Sequence, residues 1–212
     1  MTSCTIIFVR HGVTDWNRAG RFQGQIDIAL NPDGVDQAER TGRLFIDQPV
    51  AAVYSSDLAR ARQTAEPIAR AAGLDLILEA GLRERHYGVL EGRTHDEVLR
   101  DYPETYTRWR ARDPEFELPG GGESLRMLHA RVERQMRALV AAHPGQTVVA
   151  VSHGGVLDCV YRIASGLPID SPRSFDLRNA SLNQVRWNGS TFSVVSWGDV
   201  AHLEGSRDDI EP

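Results

Sequence analysis

A chain of 212 residues, 41% apolar and 25% charged, has an ordinary globular composition and suits one α/β domain better than two. A net charge of -5 argues against a general nucleic-acid binder but leaves room for a local cationic pocket. No apolar stretch approaches the length that spans a bilayer. Met1-Thr2-Ser3-Cys4 runs into a strand without the basic and apolar regions of a signal peptide. The two cysteines, Cys4 and Cys159, lack metal-ligand spacing and read as reduced thiols. A cytoplasmic protein is expected.

Strand and helix signals alternate along the chain. Thr5-Ile6-Ile7-Phe8-Val9 is an unbroken apolar run that stops at Arg10-His11-Gly12, which reads as a strand buried on both faces. After a loop, Asn31-Pro32-Asp33 starts a helix on which Val35, Ala38, Gly42, Phe45 and Ile46 keep helical spacing. A second strand, residues 51–54, ends at Ser55-Ser56-Asp57. Leu58, Ala61, Ala65, Ile68, Ala69 and Ala72 then share a helix face, and Gly73 stops that helix. Residues 74–78 form a third strand.

Residues 83–113 differ, being rich in Arg, Glu, Asp and aromatics with weak apolar periodicity. Pro119-Gly120-Gly121-Gly122 is a breaker, and Ser124 caps a long helix with Leu125, Leu128, Val132, Met136, Leu139 and Val140 as its core stripe. Thr147-Val148-Val149-Ala150-Val151 is a second buried run that stops at Ser152-His153-Gly154-Gly155. A helix with Val156, Leu157, Val160 and Ile163 inward follows. Residues 185–187 and 192–194 read as a hairpin around an Asn188-Gly189 turn. The fold class expected is α/β, a single-domain three-layer α/β/α sandwich over residues 1–212 with a mostly parallel sheet. Residues 83–122 read as a substrate-covering insertion over the carboxyl edge.

In open α/β sheets ligands bind at the carboxyl ends of the strands, so His11 and His153 are expected at one edge. Arg10, Asn17 and Arg60 fall at the same edge, as does the helix start at Gly154-Gly155, whose amides favour an anion. Mostly donors, this set suits a phosphate dianion. Each member has a plainer reading: Arg60 as a surface arginine like Arg62, and Asn17 as a turn stabiliser. Trp16 is read as loop packing, and His86, His95, His129, His143 and His202 as surface or loop residues. The pairing of His11 with His153 at matching strand ends favours chemistry.

Arg10-His11-Gly12-Val13-Thr14-Asp15-Trp16-Asn17 resembles the signature of the histidine phosphatase superfamily, which includes the cofactor-dependent phosphoglycerate mutases. Arg21-Phe22-Gln23-Gly24-Gln25 resembles its next substrate-contacting loop, and Ser55 to Ala65 its second arginine motif, with Arg60 in the phosphate-binding place. Leu82-Arg83-Glu84, Gly88 and Glu91-Gly92 resemble the segment with the acidic proton donor; Gly121-Gly122-Glu123-Ser124 and Ser152-His153-Gly154-Gly155 follow in order. The resemblance implies that His11 attacks phosphorus, that Arg10, Arg60, His153 and the amide at Gly154 hold the equatorial oxygens, and that Glu84 is the acid and base. Asn17, Gln23, Gly24 and Tyr87 would contact substrate. No metal or other cofactor is implied, except 2,3-bisphosphoglycerate as primer if the protein is a mutase.

Glu84-Arg85-His86-Tyr87-Gly88 is similar to the mutase form of the acid segment. The compact 83–122 region, without a lysine, is similar instead to the broad-specificity phosphatases. Residues 177–181 and 198–203 resemble that branch too. The expected activity is therefore a phosphomonoesterase acting on a small phosphorylated metabolite, with a phosphoglycerate mutase as the alternative. Arg108, Arg110 and Arg112 read either as contacts for a substrate carboxylate or sugar, or as a solvated face balanced by Asp101, Glu104, Asp113 and Glu115. A non-catalytic phosphate-binding protein ranks lower because both histidines, both arginines and Glu84 are present, and a metal site of His11, His153 and Glu84 because two arginines would repel a divalent cation. Nucleic-acid and membrane partners are not expected; an exposed strand edge or the terminal hairpin could support a homodimer.

Overall fold

The computed structural model describes residues 3–204, so the ends of the domain expected over 1–212 lie outside it. The strands are β1 (Cys4–Arg10), β2 (Ala52–Ser55), β3 (Leu76–Leu78), β4 (Thr147–Ser152), β5 (Leu182–Trp187) and β6 (Phe192–Asp199). They form one sheet in the order β3-β2-β4-β1-β5-β6. The first four in that order are parallel, and β5 and β6 continue the sheet antiparallel. β1 and β4, the two runs that end in His-Gly, are therefore direct neighbours at the centre.

Alternation along these central strands feeds two cores. Ile6, Phe8, Val148 and Ala150 pack on one face, beneath the helices α6 (Leu125–Ala142) and α7 (Gly154–Ser165). Val9, Val149 and Val151 pack on the other, against α3 (Ala59–Ala72) and Phe45, which follows α2 (Pro32–Arg43). This is the three-layer arrangement expected from the alternating elements. Ser124 caps α6 by accepting from the Met127 amide, as the sequence predicts.

Some boundaries differ. α2 stops at Arg43 because the next amides turn back three residues instead of four, burying Phe45 and leaving Ile46 exposed; Val35, in the first turn, is exposed as well. β3 is shortened because Leu74 N–H bonds back to Ala69 O in the C-cap of α3. The hairpin closes through the four residues 188–191, not a two-residue turn; Asn188 Oδ1 accepts from both Ser190 and Thr191 amides.

The segment between β3 and α6 carries α4 (His95–Asp101) and α5 (Pro103–Arg110). Its weak periodicity hides a core of its own: Phe22, Leu90, Val98 and Leu118, ringed by Tyr87, Tyr102, Tyr106, Trp109 and Phe116. That satellite core includes Phe22 from the loop after β1, so the segment is fastened to the His11 side of the sheet. No described helix is long and apolar enough to cross a membrane.

Candidate active site

The register of β1 on β4 pairs Arg10 with Ser152, so the next residue on each strand is a histidine. Their ring centroids are 5.2 Å apart. The turn after His11 runs backbone to backbone against α2: a Cβ on Gly12 would lie 2.6 Å from Gly34 O, a separation no side chain tolerates. Its amides are satisfied from the helices, Gly12 N–H by Thr64 Oγ1 at 2.9 Å and Val13 N–H by Gln37 Oε1 at 2.9 Å.

Hydrogen bonding fixes opposite tautomers on the two rings. His11 Nδ1 lies 2.7 Å from Gly12 O. A carbonyl only accepts, so Nδ1 carries the proton and Nε2 keeps its lone pair. Burial, reinforced by the Arg60 and Arg10 charges, holds the imidazole well below its ordinary range and therefore neutral. At His153 the polarity is reversed. Arg60 Nε donates to its Nδ1 at 3.2 Å, and a guanidinium only donates, so the proton sits on Nε2. That Nε2 is buried and has no protein partner. Burial, then Arg60 and His11, keep this ring neutral too. One ring thus offers a nucleophilic lone pair and the other a donor.

Arg60 is wholly buried. Its Nη1 donates to Ile26 O at 2.9 Å and its Nη2 to Gly24 O at 2.7 Å, and burial pulls its pKa down to about 10. The helix carrying it begins without a cap of its own; Asp27 supplies one from the loop by accepting from the Ala59 amide at 2.6 Å. Arg10 donates to Leu177 O, which ties the base of the site to the loop before β5.

Glu84 reaches the same point from the opposite side. Its Oε1 accepts from Arg85 N–H at 2.7 Å and its Oε2 from Gly155 N–H at 3.0 Å, in the first turn of α7. Glycine at 155 permits the approach, since an added Cβ would overlap Oε1 and lie 3.3 Å from the carboxyl carbon.

These groups surround a cavity of about 640 Å³. Of the sequence-nominated residues, Arg10, His11, Asn17, Gln23, Gly24, Arg60, Glu84, Tyr87 and Gly154 line it, and His153 sits buried against His11. Asn17 stabilises a turn and also lines the cavity. Its Oδ1 accepts from Thr14 in a capping box at the start of α1 (Asp15–Arg18), which leaves Nδ2 as the donor on the wall. The nearby Gln23 Oε1 is buried with no protein partner. Gly24 turns its carbonyl to Arg60.

The outer wall departs from expectation. The three arginines of 108–112 separate: Arg108 pairs with Asp113 away from the cavity, whereas Arg110 and Arg112 both line it, Arg112 while paired with the buried Asp158 of α7. His95, assigned a surface or loop role, lines the cavity beside Phe22 and Trp109. Asp158 and Arg173 also line it and were not singled out. Thr94-x-x-Glu97 is a capping-box pattern that places His95 at a helix start; for Asp158, its spacing from Gly154 along one helix face was the available signal. Among the described residues no group of three or more His, Cys, Asp or Glu side chains could hold a metal.

The chain is similar to known proteins over most of its length. The profile of the histidine phosphatase superfamily (branch 1) matches residues 6–200. The chain is 41% identical over 204 residues to the metal-independent phosphoserine phosphatase of Arabidopsis thaliana, covering 93% of this chain and 82% of that protein. It is 38% identical over 203 residues to phosphoglycerate mutase-like protein 4 of the same plant, covering 94% and 86%. The solved structure of Bacillus stearothermophilus YhfR superimposes with a TM-score of 0.86 at 33% identity, covering 95% of this chain and all of that one.

Proposed function

This chain belongs to the histidine phosphatase superfamily, and we propose that within it the protein is a phosphomonoesterase that hydrolyses a small phosphorylated metabolite through a phosphohistidine. The observation that carries this reading is the opposed tautomers of His11 and His153. His11 Nε2 is free to bond phosphorus while Nδ1–H stays on Gly12 O. As the N–P bond forms and the ester P–O bond breaks, Glu84 gives the leaving oxygen its proton. Water then attacks phosphorus, Glu84 takes the proton, and the N–P bond breaks. The His153 Nε2–H, Arg10, Arg60, the Gly154 amide and Asn17 Nδ2 face the equatorial oxygens, where transition-state charge gathers. Arg60 commits three of its N–H groups to protein acceptors and keeps two others. The segment 83–122 covers the substrate, since Tyr87, His95, Trp109 and Arg110 from it line the cavity.

The charge for phosphoryl transfer comes from protein cations, and a relative named metal-independent supports a reaction without metal. A mutase is the second reading. Arg85 and Tyr87 both line the cavity, as the mutase form of the acid segment implies, and 2,3-bisphosphoglycerate would then prime His11. Incubation with 3-phosphoglycerate, with and without 2,3-bisphosphoglycerate, separates the two by phosphorus NMR. Phosphate release outpacing isomer exchange is expected; exchange much faster than release overturns the phosphatase. An active His11→Ala variant overturns the nucleophile.

A further inference from the structure

We propose that Arg131, on α6 and outside the cavity lining, is a positioning residue that sets where Glu84 delivers its proton. The inference rests on the reading of Glu84 as proton donor. Glu84 lies in an irregular stretch between 3-10 turns at Ala80–Leu82 and Gly88–Leu90, with no strand ladder to hold it. One guanidinium takes the ladder's place. Arg131 Nη1 donates to Gly81 O at 3.0 Å and to Arg83 O at 2.7 Å, and Nη2 donates to Glu84 O at 3.2 Å. Its Nε and Nη2 fork onto the Glu123 carboxylate at 2.9 and 2.7 Å. All five N–H groups of an arginine are thereby used, three of them on carbonyls of the segment carrying the acid.

Glu123 secures the far side of Glu84. Its Oε2 accepts from His86 N–H at 3.0 Å, its own N–H donates to His86 O at 2.8 Å, and its carbonyl accepts from the Arg85 guanidinium at 2.9 and 2.8 Å. Residues 81–86 are thus gripped on both sides of Glu84 by one ion pair, of which each side chain is only 15% exposed. The pair touches neither histidine nor the phosphate-binding arginines through any of these bonds. Loosening it moves the acid and leaves the nucleophile where the β1–β4 register put it. A lysine in its place has three donors and no planar fork, so it cannot hold three carbonyls and a carboxylate together.

Leaving-group chemistry separates positioning from general structure. A 4-nitrophenolate departs with little need of a proton, whereas an alkoxide needs one. We expect Arg131→Lys to lower kcat/KM for glycerol phosphate by about a hundredfold, the cost of displacing a reacting group by an ångström. The value for 4-nitrophenyl phosphate is expected to change by less than about threefold, since the nucleophile and the oxyanion contacts stay in place. Glu123→Gln is measured alongside, so that a folding failure of the first variant leaves the second to decide. Equal losses on both esters, or no loss on either, overturn the inference. Glu84→Gln locates any failure: if it is selective for the alkyl ester while the clamp variants are not, only the positioning role falls. If Glu84→Gln loses both esters equally, the proton-donor reading falls and the positioning role with it.

Discussion

Gly155→Ala is expected to preserve the fold and remove most turnover on alkyl phosphates. Gly155 is the second residue of α7 and has ordinary helical backbone, since it is not among the glycines of positive φ. Alanine therefore carries no conformational penalty, and its helix preference is worth up to about 1 kcal/mol. The added Cβ, however, would overlap Glu84 Oε1 and sit 3.3 Å from Cδ and 3.5 Å from the Tyr87 hydroxyl. The carboxylate must withdraw by roughly an ångström to restore van der Waals separation. That movement stretches the Gly155 N–H bond to Oε2, now 3.0 Å, and carries the acid off its line to the leaving oxygen. A displacement of that size costs about a hundredfold in rate. Thermal unfolding and kcat/KM on glycerol phosphate are the two measurements. An unchanged or raised Tm with a fall of that order supports the placement of Glu84 against α7. Full activity at unchanged Tm refutes it, because the carboxylate cannot be acting from where the structure holds it.

Arg60→Lys should lower kcat/KM by about 10²–10³-fold, as lysine cannot serve Gly24 O, Ile26 O and His153 Nδ1 at once; steady-state kinetics on 4-nitrophenyl phosphate check this. Because His11 and His153 are held below 6.5 when folded, the unfolded chain binds more protons as pH falls through 6.5, so stability is present above that value and lost beneath it. From pH 7.5 to 5.5 each ring accounts for about 1.4 kcal/mol at most. His153→Gln should shrink the difference between urea unfolding free energies at those two pH values by up to that amount, and an unchanged difference would contradict a buried neutral ring. Asp158→Asn should cost about 3–5 kcal/mol in urea unfolding, because the fully buried Arg162 and the partly buried Arg112 both rely on that carboxylate; a cost under about 1 kcal/mol, the value of an exposed pair, would show the charge is not buried.

Most of the sheet was legible because its strand signals are local. β1 and β4 are apolar runs ended by His-Gly, and their burial on both faces is what a parallel sheet imposes on its inner strands, whereas their adjacency is set by the strand order of the fold. Arg10, His11, Arg60, His153 and Gly154 were readable by the same route, since strand ends and helix starts have sequence signals, whereas Glu84, Gln23, Gly24 and Tyr87, outside regular strands and helices, were nominated only through the family resemblance. What could not be read depends on distant partners. Arg112 was weighed against the acidic residues near it in sequence, whereas its partner Asp158 lies on α7. The tautomers of His11 and His153 depend on a local carbonyl and on an arginine from α3. His95 reaches the cavity because Phe22, far back in the chain, joins the core of 83–122.

The two halves of the chemistry are held by different physics. His11 and His153 extend backbone ladders: their position follows from a register, and only a slip of a whole strand would shift it. Glu84 has no ladder. Its place is set by side chains, Arg131 and Glu123 behind it and the Gly155 amide in front. Side-chain clamps yield by fractions of an ångström where strand registers do not. The same segment continues through Tyr87 to His95 on α4 and Trp109 and Arg110 on α5, which form the outer wall of the cavity. On the proposed mechanism, a change of substrate in this architecture acts on Glu84 and the outer wall together, while the floor of His11, Arg10, Arg60 and His153 stays fixed. Substitutions in residues 83–122 should accordingly alter the dependence of kcat/KM on the leaving group, and substitutions on the floor should slow every ester alike.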